Sequence, residues 1–189
     1  NIKLQYNSNL SYSKYKKFNL LDMWKNFKDV SVWPSIEGFK SHAEYSRKGL
    51  NWKTFENNVT HYRKHIKTFS SVINIFSIIS MPELILWFKK QRLDYYGTIL
   101  RHPSIYSITC LPKDAKSLIN KKYKTFLQKY RIFNKYDIKQ IKDWLIFMNS
   151  KDDSHLLTEF KKEQSRLGSL RNESFEKTFP EYASWYKNI

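Results

Sequence analysis

Three side chains in one short stretch, Ser35, Glu37 and Arg47, have the types and spacing to hold a polar ligand. A carboxylate such as Glu37 accepts hydrogen bonds from the vicinal hydroxyls of a ribose, and a serine hydroxyl both donates and accepts. Arg47, a helical turn or two beyond, offers a planar fork that matches a carboxylate. The same residues also allow a plainer structure, with Ser35-Ile36-Glu37-Gly38 as a strand-exit turn and Arg47 as a surface ion-pair partner. Either way the local chain is the same. Val30, Val32 and Trp33 alternate as a β-branched and aromatic strand, the polar turn follows, and helical signals resume beyond it. Open α/β folds bind ligands at such carboxyl ends of strands.

Other reactive residue types point to structure. Cys110 is the single cysteine, which excludes an intramolecular disulfide and an all-cysteine metal site. It lies in an apolar run beside Ile108, so a buried structural thiol is expected, in a reducing compartment and hence the cytoplasm. His61 and His65 have the i,i+4 spacing of a zinc pair but no HExxH glutamate, and the lysines and Arg63 beside them suit a solvated basic face. Asp152 and Asp153 are expected to begin a helix. Four glycines supply no phosphate loop, and there is no GxSxG elbow.

The elements that must position these residues can be read from periodicity. Residues 2–6 alternate as a strand, ended by Asn7-Ser8-Asn9. Phe18, Leu21, Trp24 and Phe27 predict a helix over 16–28. Phe55, Val59, Tyr62 and Ile66 predict another over 52–67. A strand over 69–77, buried on both faces, leads to a helix over 82–90 that Ser80 caps and Pro82 opens. A strand over 105–111 is closed by Pro112, which opens a helix to about residue 130. This is a βα repeat with a parallel sheet of about four strands. Beyond residue 135 the pattern becomes helical, with Ile138, Ile141, Leu145 and Met148 on one helix and residues 156–170 on the next. Phe175, Phe179, Tyr182 and Trp185 surround Pro180 in the last stretch. The expected division is an α/β part over 1–130 and a helical extension over 131–189.

Composition leaves the partner open. Thirty-four Lys and Arg against 17 Asp and Glu give a net charge of +17, which invites a nucleic acid or another anionic partner. Yet 27 of those cations are lysine and only 7 arginine, spread along the chain, as an A/T-rich genome would also write. Aromatic and basic residues interleave over 14–18 and 123–133, a pattern that could stack single-stranded bases or simply mark amphipathic helices. Hydrophobic residues make up 41%, enough for a core, and no apolar run approaches the roughly 18 residues of a membrane span. The sequence opens on Asn1 rather than Met, so a trimmed chain or further upstream residues are expected.

The wording around these motifs resembles one family. VSVWPSIEG at 30–38, EYSR at 44–47 and Asn51-Trp52 resemble the strand, EYIR segment and tryptophan-bearing helix of radical S-adenosylmethionine (SAM) enzymes with a twitch domain. YNSNLSY at 6–12, SVIN at 71–74 with MPEL at 81–84, HPSIYSITCLP at 102–112, and RLGSLRN at 166–172 with TFPE at 178–181 follow in the same order. The resemblance implies an α/β fold, the C-terminal half of a partial (β/α) barrel with parallel strands, followed by a twitch-like helical extension. It implies SAM as the ligand, with Ser35 and Glu37 on the ribose side, Arg47 on the methionyl carboxylate, and Ser8 and Asn9 lining the same pocket. The family's CxxxCxxC motif is missing here, so a 4Fe-4S cluster is expected only from an upstream segment or a partner chain. Alone, this chain would be inactive; with that segment it would modify a peptide or another substrate. The alternative is a remnant without catalysis whose basic surface binds nucleic acid or an acidic protein.

Overall fold

The computed structural model describes residues 2–189, without the side chain of Tyr15. In chain order its elements begin with β1 (Lys3–Ser8), a hairpin of β2 (Lys14–Tyr15) and β3 (Phe18–Asn19), α1 (Leu20–Trp24) and β4 (Asp29–Pro34). Next come α2 (Ser41–Ser46), α3 (Trp52–His61), β5 (Thr68–Ile73), α4 (Met81–Lys90) and β6 (Asp94–Ile99). The chain then turns helical through α5 (Lys113–Lys129), α6 (Lys135–Asn149), α7 (Leu157–Arg171), α8 (Phe175–Thr178) and α9 (Ala183–Lys187). No helix among the described residues is long and apolar enough to cross a membrane.

Parallel pairing is present, but the partial barrel is not. β1 pairs with β4, Asn7 opposite Trp33, and β5 pairs with β6, Ser70 opposite Tyr96. Between the two pairs only the bridges Val32–Ile66 and Ser35–Ser70 form. Three residue steps on the β4 side, 32 to 35, answer four on the β5 side, 66 to 70. The extra residue bulges, and a bulge interrupts a ladder. The result is two two-stranded parallel sheets, neither closed into a barrel.

Several boundaries move for local reasons. The helix expected over 16–28 shrinks to α1, because Asn19 caps it by accepting from Leu21 N at 2.9 Å and the residues before it turn back as the β2–β3 hairpin. The strand expected to reach Ser77 stops at Ile73, where Asn74 Oδ1 accepts from the backbone of Phe76 and Ser77, each at 2.9 Å. Such a side-chain turn competes with the strand ladder. Residues 105–111 form two 3-10 turns, Ser104–Tyr106 and Ile108–Cys110, and the fourth strand is β6. Their backbone bonds stay local, as in Cys110 N to Ser107 O at 3.1 Å. The helix expected over 52–67 ends at His61, and Arg63–His65 follow as a separate 3-10 turn. Helices α4 to α7 fall close to their expected bounds, with Pro112 at the start of α5 and Asn134 closing a capping box on α6.

Helices α3 and α4 cover one face of the strands, with Phe55, Trp87 and Phe88 packed on Phe69, and with Val32 and Val59 buried in the same core. The C-terminal aromatics Phe160, Phe175, Phe179 and Tyr182 belong to the same buried cluster. The opposite strand face is largely uncovered. Gln5, Asn7, Tyr96 and Thr98 are exposed there, and Trp33, Ser70 and Val72 are half-buried. β5 is therefore fully buried on one face only, through Phe69, Ser71 and Ile73.

Candidate functional site at the strand ends

The loop after β4 is pinned on both sides. Ser35 N donates to Ser8 O at 2.9 Å and Ile36 N to Ser70 O at 3.0 Å, so the exit of β4 is held between β1 and β5. Ile36 is fully buried and anchors the turn. Gly38 has φ +83°, a conformation that favours glycine, and a Cβ there would meet Ser80 Oγ at 3.1 Å. Ser80 stands where α4 begins but does not cap it; its hydroxyl accepts from Phe39 N at 3.1 Å. That bond seats the loop on α4.

Helix α2 then delivers Arg47 back to the loop. His42 is buried on this helix, its Nε2 donating to Thr178 O at 2.9 Å and its ring stacked on Phe179. Burial lowers its pKa, and the facing Glu181 carboxylate partly offsets that. Arg47 closes the last turn through its own N–H to Ala43 O at 3.0 Å. Glu44 accepts from Trp52 N at 2.7 Å, fixing the entry to α3.

Ser35, Glu37 and Arg47 meet. Arg47 Nη2 donates to Glu37 Oε1 at 2.8 Å and to Ser35 Oγ at 3.1 Å, while Arg47 Nε donates to Glu37 Oε2. Glu37 is buried, and the arginine side chain keeps 28% of its exposure. Of the five guanidinium hydrogens, three are committed and the two on Nη1 have no partner among the described residues. Ser35 accepts from Arg47, so its own hydroxyl hydrogen remains to be donated. The unit can thus present N–H and O–H donors to an anion, backed by spare lone pairs on Glu37. The Nε–Nη2 edge of Arg47 is filled by Glu37 and Ser35, which leaves Nη1 as its uncommitted side.

The other two residues expected here are placed differently. Ser8 Oγ accepts from Leu10 N at 3.0 Å and Asn9 Oδ1 from Ser11 N at 3.1 Å. Their side chains close their own turn, and only the Ser8 carbonyl touches the cluster. Periodicity missed the neighbouring polar face of β6, because Asp94 and Gly97 dilute its apolar character; the alternation of Tyr95, Gly97 and Ile99 with Tyr96 and Thr98 was the available signal.

Elsewhere the expectation of a buried structural thiol holds, whereas His65 is half-buried instead of lying on a solvated face and only Asp152 serves the start of a helical turn. Cys110 is buried, its thiol donating to Ser104 O at 2.8 Å, and burial with the nearby Asp153 charge pushes its pKa up to about 11. His65 Nδ1 lies 3.2 Å from Val30 O and its ring meets Trp24 edge-on, while His61 is exposed. Asp152 accepts from Ser154 N at 2.9 Å at the start of a 3-10 turn; Asp153 instead accepts from Thr109 Oγ1 at 2.6 Å.

No protein-family model, curated protein or solved structure matches the chain. The radical SAM, iron–sulfur and barrel reading is corrected by the molecule itself. Its strands form no barrel, no group of three or more His, Cys, Asp or Glu among the described residues could hold a metal, and the lone thiol is buried. These residues do not fit a 4Fe-4S cluster.

Proposed function

We propose that this protein binds a small ligand bearing a ribose and a carboxylate against Ser35, Glu37 and Arg47. S-adenosylmethionine, which the sequence resemblance implies, carries both groups. The observation behind this reading is the assembled Ser35–Glu37–Arg47 unit at the carboxyl end of a parallel strand. In it Arg47 Nη1 meets the ligand carboxylate, the Ser35 hydroxyl and Glu37 meet the sugar, and Glu37 also orients the guanidinium. The role is binding, and no reaction is assigned. The single thiol supports a reducing, cytoplasmic setting. A further strand, from upstream sequence or another chain, would join at the open side of β1.

Calorimetric titration with SAM, adenosine and methionine tests this. Arg47→Lys keeps a charge beside the buried Glu37 but loses the fork, and it should weaken SAM binding by about 2 kcal/mol. Ser35→Ala should cost about 1 kcal/mol. No binding at about millimolar SAM, or equal binding by Arg47→Lys, overturns the reading. A second reading rests on the net charge of +17 together with Trp33 and the 40%-exposed Tyr96 on the uncovered strand face. Single-stranded nucleic acid would use both, and its binding would fall steeply with salt.

A further inference from the structure

A groove of about 450 Å³ runs between α4 and α5, away from the Ser35–Glu37–Arg47 cluster. Its floor is apolar, built from Leu86, Leu118 and Phe126. Leu118 is 41% exposed, although Ala115, Ile119, Tyr123 and Phe126 already supply the buried stripe of α5. It contributes apolar surface to the groove rather than to the core.

The rim is mainly cationic, its one acid, Glu83, being paired with Lys122 at 2.8 Å. Helix α5 carries six lysines against one acid, Asp114. Lys116 is committed to Lys151 O, and Lys122 to Ile79 O and Glu83. Lys121 and Lys129 line the groove with no anionic partner among the described residues. From Leu118 to Lys129 the lined stripe spans about 16 Å at 1.5 Å per residue, the length of a three-turn helix.

We propose that this groove docks an acidic amphipathic helix of another protein. Its apolar stripe at i, i+3/i+4 and i+7 lies on Leu86, Leu118 and Phe126, and its flanking carboxylates meet Lys121 and Lys129. Charge selects this occupant. A second copy of the chain would bring its own +17 to the same rim, and like charges at an interface are costly.

The test is fluorescence anisotropy on the full chain with a labelled synthetic helix carrying leucine at those positions and glutamate elsewhere. Micromolar binding is expected, with none by the same peptide carrying lysine for glutamate. Leu118→Glu, and separately Lys121→Glu with Lys129→Glu, should each weaken binding by about tenfold or more. All these side chains are at the surface, and circular dichroism checks that the variants fold. Acidic-peptide binding that ignores these variants overturns the proposal. So does equal binding by a leucine-free acidic peptide. Light scattering that shows self-association abolished by Leu118→Glu would assign the groove to a second copy. Co-sedimentation with phosphatidylserine vesicles that the same variant abolishes would assign it to a lipid surface.

Discussion

The two outer strands of the parallel layer end in opposite ways. β6 is closed by α6: Gln140 accepts the Gly97 N–H at 2.8 Å, and the Trp144 indole fills the space where a side chain on Gly97 would stand. β1 is open. The carbonyls of Ile2 and Ser8 face β4, receiving Lys28 N and Ser35 N, so alternation turns the backbone of Lys3, Gln5 and Asn7 outward. Those three residues are exposed, and nothing described pairs with their outer edge. An unpaired edge is a template for another strand, and a lysine upon it discourages the wrong one. One border of the layer is finished by the chain itself, and the other has no pairing among the described residues.

The largest expected effect is on the finished side. Trp144→Ala empties a site only 2% exposed and should cost about 3–5 kcal/mol, read from the urea midpoint. Gly97→Ala comes next. Its Cβ would sit 2.2 Å from Trp144 Cζ2, and such overpacking costs about 1–3 kcal/mol. In a Trp144→Ala background that penalty should nearly vanish, because the two sites share one space. On the open side Gln5→Lys should change stability by less than about 0.5 kcal/mol. A cost at Gln5 comparable to that at Gly97 would mean that β1 is covered after all.

The sequence spoke clearly where burial and periodicity agree. α6 was legible because Ile138, Ile141, Leu145 and Met148 recur at helical spacing, with Ile141 and Met148 fully buried and the other two half-buried, and α5 because Pro112 marks its start. The Ser35–Glu37–Arg47 cluster was legible as a set of residue types, but not as a closed unit, since only the fold of α2 turns the guanidinium onto Glu37. β6 was hidden because Asp94 and Gly97 dilute its apolar alternation. The run of residues 105–111 misled for the converse reason: Ile108, Cys110 and Leu111 are all fully buried, yet short turns bracketed by two prolines achieve this without a strand. The strands expected to form one partial barrel pair instead as two separate two-stranded parallel sheets, joined only by two isolated bridges whose registers differ by one residue, and no local propensity announces such a slip.

Helix α2 is held by a residue made very late. His42 bonds to Thr178, 136 positions onward, and the Tyr182 hydroxyl donates to Ile75 O, 107 positions back. Phe76 and Tyr45 likewise wait for Phe175 and Phe179. At the pace of a ribosome, the roughly one hundred residues between Phe76 and Phe175 take about 5–20 s to add. Over that interval Phe76 can gain Tyr106 and then Phe160 as neighbours, but the packing of Phe76 and Tyr45 on Phe175 and Phe179 is completed only after nearly the whole chain has been made.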